Sequence, residues 1–210
     1  MRQLAVILLA WGTAWGMLYA APFSHKLHLS LELECATCHV AAIGSTKASD
    51  NLMPAKAVCL PCHEDEDDDI QIPAPPKTSV AFFSHARHLK LGNVAPQLAA
   101  AIDKRDYLQP PGDIRRHLNT PDACQACHRG LKESDRVTPA AMPQMADCLV
   151  CHNEIDNPFS CEKCHAKGAQ LKPASHLPGF LSDHTSGKLN LDKASCMVCH
   201  GRNFRCLGCH

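Results

Sequence analysis

The sequence predicts a mostly irregular fold with short α-helices, little or no β-structure and an interior that side chains alone do not fill. Aromatic residues make up only 5% of the 210 residues, and both tryptophans, Trp11 and Trp15, fall among the first twenty. No long stretch shows the apolar periodicity that builds an ordinary helical or sheet core. Cysteine and histidine, at 14 each, are unusually frequent. A covalent cofactor, a metal or a set of cross-links is therefore expected to complete the core.

Residues 1–21 are predicted to be an export signal. Arg2 gives a basic start, residues 4–9 are apolar, and Ala20-Ala21 offers a cleavage end. This pattern is typical of a secretory signal peptide. An uncleaved anchor is the alternative, because the apolar stretch is close to the roughly 20 residues that span a bilayer. The expected location is periplasmic or extracellular, with attachment to the inner membrane if the segment is retained.

One motif accounts for all fourteen cysteines. Cys-x-x-Cys-His occurs seven times, and we number the copies as sites 1 to 7: Cys35-Cys38-His39, Cys59-Cys62-His63, Cys124-Cys127-His128, Cys148-Cys151-His152, Cys161-Cys164-His165, Cys196-Cys199-His200 and Cys206-Cys209-His210. This spacing is the attachment signal for haem c. The two thiols reach the two vinyl groups of one porphyrin, and the histidine that follows becomes the proximal iron ligand. The sequence therefore predicts seven covalent haems.

Zinc sites and disulfides also use Cys-x-x-Cys pairs. Neither requires a histidine directly after every second cysteine, yet that histidine is present in all seven copies. Haem attachment is therefore the interpretation of the motif. With fewer than thirty residues available per haem, the haems are expected to lie close together and to form the core themselves.

Seven histidines lie outside the motifs and are the candidate distal ligands: His25, His28, His85, His88, His117, His176 and His184. One spare histidine for each iron indicates bis-histidine ligation at every site. Methionine is the alternative sixth ligand, and four are available, namely Met53, Met142, Met145 and Met197. Two imidazoles leave a haem potential lower than a Met/His pair does. We therefore expect low-potential haems whose filled sixth positions exclude small substrates.

Residues 22–66 and 82–155 form an internal repeat, and each copy holds two haem sites. Both begin with Phe-Ser-His-x-x-His, at Phe23 and at Phe83, and both carry a Met-Pro pair before their second motif. Elements that recur in one order indicate a duplicated unit. We call these segments repeat one and repeat two.

Residues 156–210 form a third section with three motifs but only two spare histidines, His176 and His184. Complete bis-histidine ligation then requires one spare histidine to cross from the repeats. The candidates are His28, His88 and His117. The three sections are therefore expected to pack as one body.

Residues 67–81 are predicted to be a linker between the repeats. An unbroken acidic run covers residues 64–69, and Pro73, Pro75 and Pro76 follow it. Pro-rich polar sequence of this kind forms a semi-rigid spacer or loop. The acidic run is either a solvated loop or a docking patch for a basic partner.

Helices are expected to be short. Each motif should occupy one or two helical turns, because residues i, i+3 and i+4 share one face. An insertion over residues 92–116 precedes site 3, and residues 97–106 within it are predicted to form a short helix. A small hairpin near residues 22–34 is the only β-structure expected.

The Phe-Ser-His-x-x-His element ahead of Cys-x-x-Cys-His motifs resembles the class III low-potential multihaem cytochromes, small periplasmic tri- and tetrahaem proteins of sulfate- and metal-reducing bacteria. The resemblance covers residues 23–63 and 83–152. The chain departs from it in having seven haems, and residues 156–210 match only through their haem motifs. The resemblance implies low-potential electron transfer in anaerobic respiration.

The resemblance also implies a ligand assignment. The first histidine of the element ligates the haem of the next motif, so His25 would serve site 1 and His85 would serve site 3. The second histidine, His28 or His88, would reach another haem.

The leading functional prediction is an electron carrier, not an enzyme, acting by outer-sphere transfer between respiratory redox partners outside the cytoplasm. The expected partners are a quinol-oxidising membrane complex, a periplasmic oxidoreductase or an outer-membrane conduit. Nucleic acid is not expected, because 21 basic residues balance 21 acidic ones. A reductase for nitrite, hydroxylamine or sulfite-like substrates is the enzymatic alternative and needs one open iron position. A filament subunit is the third hypothesis, because site 7 ends at His210.

Overall fold

The protein is described by a computed structural model over residues 23–64, 70–152, 161–173, 176, 178–189 and 192–203. Regular structure in these residues consists of short helices and one isolated antiparallel bridge between Val80 and His165. The predicted signal segment, residues 65–69 of the acidic run and site 7 lie outside the described residues. No helix among those described is long and apolar enough to cross a membrane.

Eight α-helices occur in the described part of the chain: α1 His25–Ser30, α2 Cys35–Cys38, α3 Ala41–Gly44, α4 His85–Leu89, α5 Ala95–Asp103, α6 Met145–Leu149, α7 Phe180–Thr185 and α8 Lys193–His200. Short 3₁₀ segments cover Lys56–Val58, Ile114–Leu118, Pro139–Ala141 and Cys161–Lys163. The longest helix has nine residues. Sites 1, 4 and 6 carry cysteines on α-helices, and sites 2 and 3 sit in turns.

Helices α1 and α4 begin in the same way. The hydroxyl of Ser24 accepts a hydrogen bond from the Leu27 amide (3.1 Å), and that of Ser84 accepts one from the Arg87 amide (3.3 Å). A serine cap satisfies an amide that otherwise lacks a partner at a helix start. The hairpin predicted near residues 22–34 is therefore wrong, because this cap starts a helix where a strand was expected.

Helix α5 lies in the insertion of repeat two, where a helix over residues 97–106 was predicted. It begins earlier, because the Asn93 side chain accepts a hydrogen bond from the Ala95 amide (2.9 Å). Pro96 also fits the first turn, where its missing N–H has no partner to lose. The helix ends at Asp103.

The buried apolar side chains of the described residues all lie in repeat two: Ala95, Leu98, Ala101, Tyr107, Leu118, Ala126, Ala141, Ala146 and Leu149. Five of these are alanines, so the core that side chains build is small. In repeat one, Leu27, Val40 and Ile43 are each more than half exposed. The protein alone therefore leaves much of its apolar surface uncovered.

The two repeats pack together through α3 and α4. The carbonyl of Ser45 accepts hydrogen bonds from the Ser84 hydroxyl (3.1 Å) and from the Ala86 amide (2.9 Å). Ser84 is buried, at 7% exposure. One serine thus caps α4 and joins the repeats.

We predict that Ser84→Ala lowers the free energy of unfolding by about 1–2 kcal/mol, because a helix cap and a buried hydrogen bond are both lost. Ser24→Ala is the matched control, since Ser24 caps α1 at a more exposed position and its hydroxyl donates to the Asp135 carboxylate at the surface (2.7 Å) instead of to a buried carbonyl. Denaturant unfolding followed by circular dichroism measures both. Equal losses in the two variants would contradict the role given to the Ser45 contact.

The third section packs on repeat two and on the end of the linker. The Cys164 carbonyl accepts hydrogen bonds from the amides of Ala81 (2.8 Å) and Phe82 (3.2 Å). The Arg202 guanidinium donates to the Arg105 carbonyl (2.9 Å) and lies 3.4 Å from the Asp106 carboxylate. These contacts place sites 5 and 6 on the side of repeat two.

Candidate haem-binding sites

Five of the seven motif histidines face one of the spare histidines across a short gap. The ring centroids lie 6.2 Å apart for His25 and His39, 6.3 Å for His28 and His63, 6.4 Å for His85 and His128, 6.2 Å for His88 and His152, and 5.8 Å for His176 and His200. Imidazole–metal bonds of about 2 Å, together with the ring radii, put two rings that share one metal ion at roughly 6 Å. Each gap therefore fits one iron between two imidazoles.

The Phe-Ser-His-x-x-His element holds two distal histidines on one helix. In repeat one, Phe23 stacks on His28 at 4.5 Å and meets His25 edge-on at 4.8 Å. Nδ1 of His28 donates a hydrogen bond to the Ser24 carbonyl at 2.8 Å. His25 and His28 then face the proximal histidines of sites 1 and 2 respectively. Every named residue of the element therefore contributes to placing the rings.

Repeat two has the same arrangement. Phe83 stacks on His88 at 4.4 Å and meets His85 edge-on at 4.8 Å. The Ser84 carbonyl accepts a hydrogen bond from Nδ1 of His88 at 2.8 Å. His85 faces site 3 and His88 faces site 4. In both repeats one helix thus supplies a distal ring to each of the two sites.

Backbone carbonyls orient the proximal rings. Nδ1 of His39 lies 2.8 Å from the Leu52 carbonyl, and Nδ1 of His128 lies 3.2 Å from the Ala141 carbonyl. A proton held on Nδ1 leaves Nε2 free to bind metal. Both acceptors stand thirteen residues after their histidine and directly precede the Met-Pro pair, where proline keeps the preceding residue extended. At the level of sequence, the Met-Pro pair served only as evidence for the repeat. Its equal spacing after the two proximal histidines was also a signal for the position of the carbonyl acceptors.

The proximal ring of site 5 is oriented by a residue that is distant in the sequence. Nδ1 of His165 lies 2.9 Å from the carbonyl of Ser79, which is 86 residues earlier in the chain. The bridge between Val80 and His165 holds the same two segments together. The end of the linker therefore orients the proximal ring of site 5, as the residues before the Met-Pro pairs orient the proximal rings of sites 1 and 3.

Two spare histidines have other neighbours among the described residues. Nδ1 of His117 lies 3.2 Å from the Glu133 carboxylate, and the Arg116 guanidinium donates to its Nε2 at 3.1 Å. His184 stacks with Phe180 at 5.7 Å. Of the three histidines expected to provide a ligand across sections, His28 and His88 already face sites of their own repeats. His117 makes no ring contact with a proximal histidine in the described part of the chain.

Electrostatics favour the neutral form of the distal rings. Burial lowers the pKa of His25 from its usual 6.5, and the neighbouring His39 lowers it further. Burial and then His128 have the same effect on the pKa of His85. Neutral imidazole is the form that binds metal, so these rings are ready to ligate near pH 7.

A buried ion pair, which sequence reasoning missed, joins sites 3 and 4. The Arg129 guanidinium donates to the Asp147 carboxylate at 2.7 Å, and the Tyr107 hydroxyl donates to the same carboxylate at 2.8 Å. Arg129 directly follows the proximal histidine of site 3, and Asp147 directly precedes the first cysteine of site 4. Val40 and Val58 occupy the matching positions of repeat one. The pair is therefore particular to repeat two.

Comparison with known proteins agrees with this chemistry. The family model described as "Outer membrane cytochrome MtrC/MtrF-like, domains II/IV" matches residues 28–210, a range that contains all seven motifs. No curated protein and no solved structure matches the chain significantly. Members of the matched family are exported multihaem cytochromes that contain haem c and carry electrons. The chain belongs to the outer membrane cytochrome MtrC/MtrF-like family.

Proposed function

We propose that the protein is a heptahaem electron carrier in which two histidines ligate every iron. The pairing of five proximal with five distal rings at 5.8–6.4 Å carries this proposal. His117 and His184 are the remaining spares for sites 5 and 7. The class III-like arrangement applies to the two repeats, where Phe-Ser-His-x-x-His supplies the distal rings.

The chain's own residues would perform three tasks. The motif cysteines attach the porphyrins, the proximal histidines bind iron through Nε2, and the distal histidines occupy the sixth position. Each haem, when bound, takes up or releases one electron at its iron. Filled sixth positions keep small substrates away from the metal, and bis-imidazole ligation holds the potentials low.

The proposed setting is the space outside the cytoplasm, with respiratory redox proteins as donor and acceptor. Among the expected partners, an outer-membrane conduit fits the family description best. A quinol-oxidising complex or a periplasmic oxidoreductase would supply the electrons. Cleavage of the segment before residue 22 would release the protein, and retention would anchor it. Assembly into a filament is the alternative organisation.

Carbon monoxide binding tests the ligation. We expect the reduced holoprotein to bind no stoichiometric CO, because every iron already has six ligands. His25→Ala should bind one equivalent, since it opens the sixth position of site 1. The Soret shift of the reduced protein under CO measures both. Fast binding of one equivalent by the unaltered protein would overturn the closed-carrier proposal.

One observation favours testing a reductase as the second candidate. If His117 keeps its contact with Glu133 in the haem-loaded protein, one iron in the third section lacks a histidine. The variant His117→Ala distinguishes a carrier with every iron closed from a reductase with one open iron. We expect this variant to gain one equivalent of CO binding, because His117 is assigned as a ligand. An unaltered protein that binds one equivalent, with no further gain in His117→Ala, would support an open catalytic iron.

A further inference from the structure

We infer that the attachment sites form one path in which site 1 lies between site 2 and site 3, and site 4 leads into the third section. The order is 2–1–3–4, followed by sites 5 and 6. It differs from the order along the chain because site 1 faces repeat two. The inference rests on the proposed function only in taking each site to hold a haem.

The junction between the repeats is built around Asp122. The sulfur atoms of Cys35 and Cys124 and a carboxylate oxygen of Asp122 all lie within 4.8 Å of one another. Cys35 is the first cysteine of site 1, and Cys124 is the first cysteine of site 3. Because each sulfur would bond the edge of its own porphyrin, the edges bound at sites 1 and 3 would both lie close to one carboxylate.

The carboxylate does not depend on the thiols for its position. The Cys124 amide donates to one oxygen of Asp122 at 2.8 Å, and the Gln125 side chain donates to the other at 2.9 Å. Attachment of haem leaves both of these donors unchanged.

Sites 1 and 2 adjoin within repeat one, and sites 3 and 4 adjoin within repeat two. The distal rings of each pair stand three residues apart on one short helix. In repeat two the Arg129–Asp147 ion pair also ties the two motifs together.

The third section joins this path at site 4. Helix α6, which carries Cys148 of site 4, packs against α8, which carries Cys196 and Cys199 of site 6. The carbonyl of Cys164, in site 5, accepts hydrogen bonds from the amides that directly precede Phe83. Phe83 stacks on His88, the distal ring of site 4. Sites 5 and 6 therefore both lie beside site 4.

Transfer along this path moves one electron at a time. With haem bound, one iron would be oxidised from Fe²⁺ to Fe³⁺ as its neighbour is reduced from Fe³⁺ to Fe²⁺, and no proton or leaving group would move. The external partners are a one-electron donor and a one-electron acceptor. Along this path, an electron that enters at site 2 would pass site 1 and cross the Asp122 junction to reach the third section.

Asp122→Asn in the holoprotein tests the junction. A carboxylate beside a haem stabilises Fe³⁺, so its removal should raise the potential of both haems that adjoin it. We expect two of the seven one-electron transitions to shift upward in a redox titration followed by NMR or EPR. Asp103→Asn is the charge-matched control in an exposed ion pair of the same repeat, and we expect no transition to shift. A shift of one transition, or of none, would overturn the shared junction.

Iron positions provide the direct measurement. We expect anomalous diffraction at the iron edge, from crystals of the holoprotein, to give two unequal distances. The distance from the site 3 iron to the site 1 iron should be shorter than its distance to the site 2 iron. A site 2 iron nearer to site 3 would overturn the order, even if the Asp122→Asn result were obscured by misfolding. Neither outcome depends on CO binding, so the path and the closed-carrier proposal can fail separately.

Discussion

Produced without haem attachment, the protein is expected to lose most of its helical structure and to show no cooperative unfolding transition. Only three leucines are buried in the described residues, Leu98, Leu118 and Leu149. Burial of each contributes about 1.5–3 kcal/mol, whereas ordering the backbone costs about 1–2 kcal/mol for every residue. Side chains alone cannot offset that cost. Folding should therefore be coupled to cofactor attachment, as it is in small metal-dependent domains.

Circular dichroism of the chain expressed without cytochrome c maturation measures this effect. A local version removes the haems of repeat one through Cys35→Ser, Cys38→Ser, Cys59→Ser and Cys62→Ser. We expect hydrogen exchange in this variant to lose protection over residues 23–64 and to keep it over α5, since the buried apolar residues lie in repeat two. A haem-free chain that melts cooperatively would contradict the prediction.

Arg129→Met is expected to lower the free energy of unfolding by about 3–5 kcal/mol, because it leaves the Asp147 charge buried without its partner. The side chains of Arg129 and Asp147 are only 2% and 4% exposed. Burial and then the Asp147 charge raise the pKa of Tyr107 well above its usual range, so the phenol stays neutral and its hydrogen bond leaves the Asp147 charge uncompensated. Denaturant unfolding of the holoprotein measures the loss.

Two further variants show whether burial and uncompensated charge cause that loss of stability. Arg115→Met removes an arginine from a pair of the same chemistry, with Asp103, but at the surface, and it should leave the midpoint nearly unchanged. Arg129→Met combined with Asp147→Asn should recover part of the stability, because no uncompensated charge remains. A double variant no more stable than Arg129→Met would show that the hydrogen-bond geometry, and not the charge, makes the pair important.

The parts of the site that could be predicted from sequence are those encoded over a few residues. The motif specifies two thiols and a proximal imidazole within five positions. The Phe-Ser-His-x-x-His element likewise contains its own helix cap, its stacking ring and both distal histidines. Local order of this kind depends on i, i+3 and i+4 geometry, which a sequence shows directly. The hairpin prediction near residues 22–34 failed because the capping role of Ser24 was not recognised.

Partners distant in sequence were not predictable in the same way. The Leu52 and Ala141 carbonyls that orient the proximal rings lie thirteen residues from them, and the Ser79 carbonyl lies 86 residues from His165. Any carbonyl could serve as such an acceptor. Residue identity therefore carries no signal, apart from the repeated Met-Pro spacing.

By itself, the sequence indicated the haem c cofactor, which the family match supports, and it predicted seven attachment sites and the repeat, because covalent attachment requires particular residues at particular spacings. Only the tertiary structure decided which distal ring faces which site, where His117 lies, and that Cys35 meets Cys124 across Asp122. The physical reason is that few apolar side chains are buried in the described residues, so little apolar packing specifies the long-range arrangement. Its long-range contacts are made by backbone carbonyls and single charged residues, whose pairing is fixed by the folded arrangement and not by a local pattern.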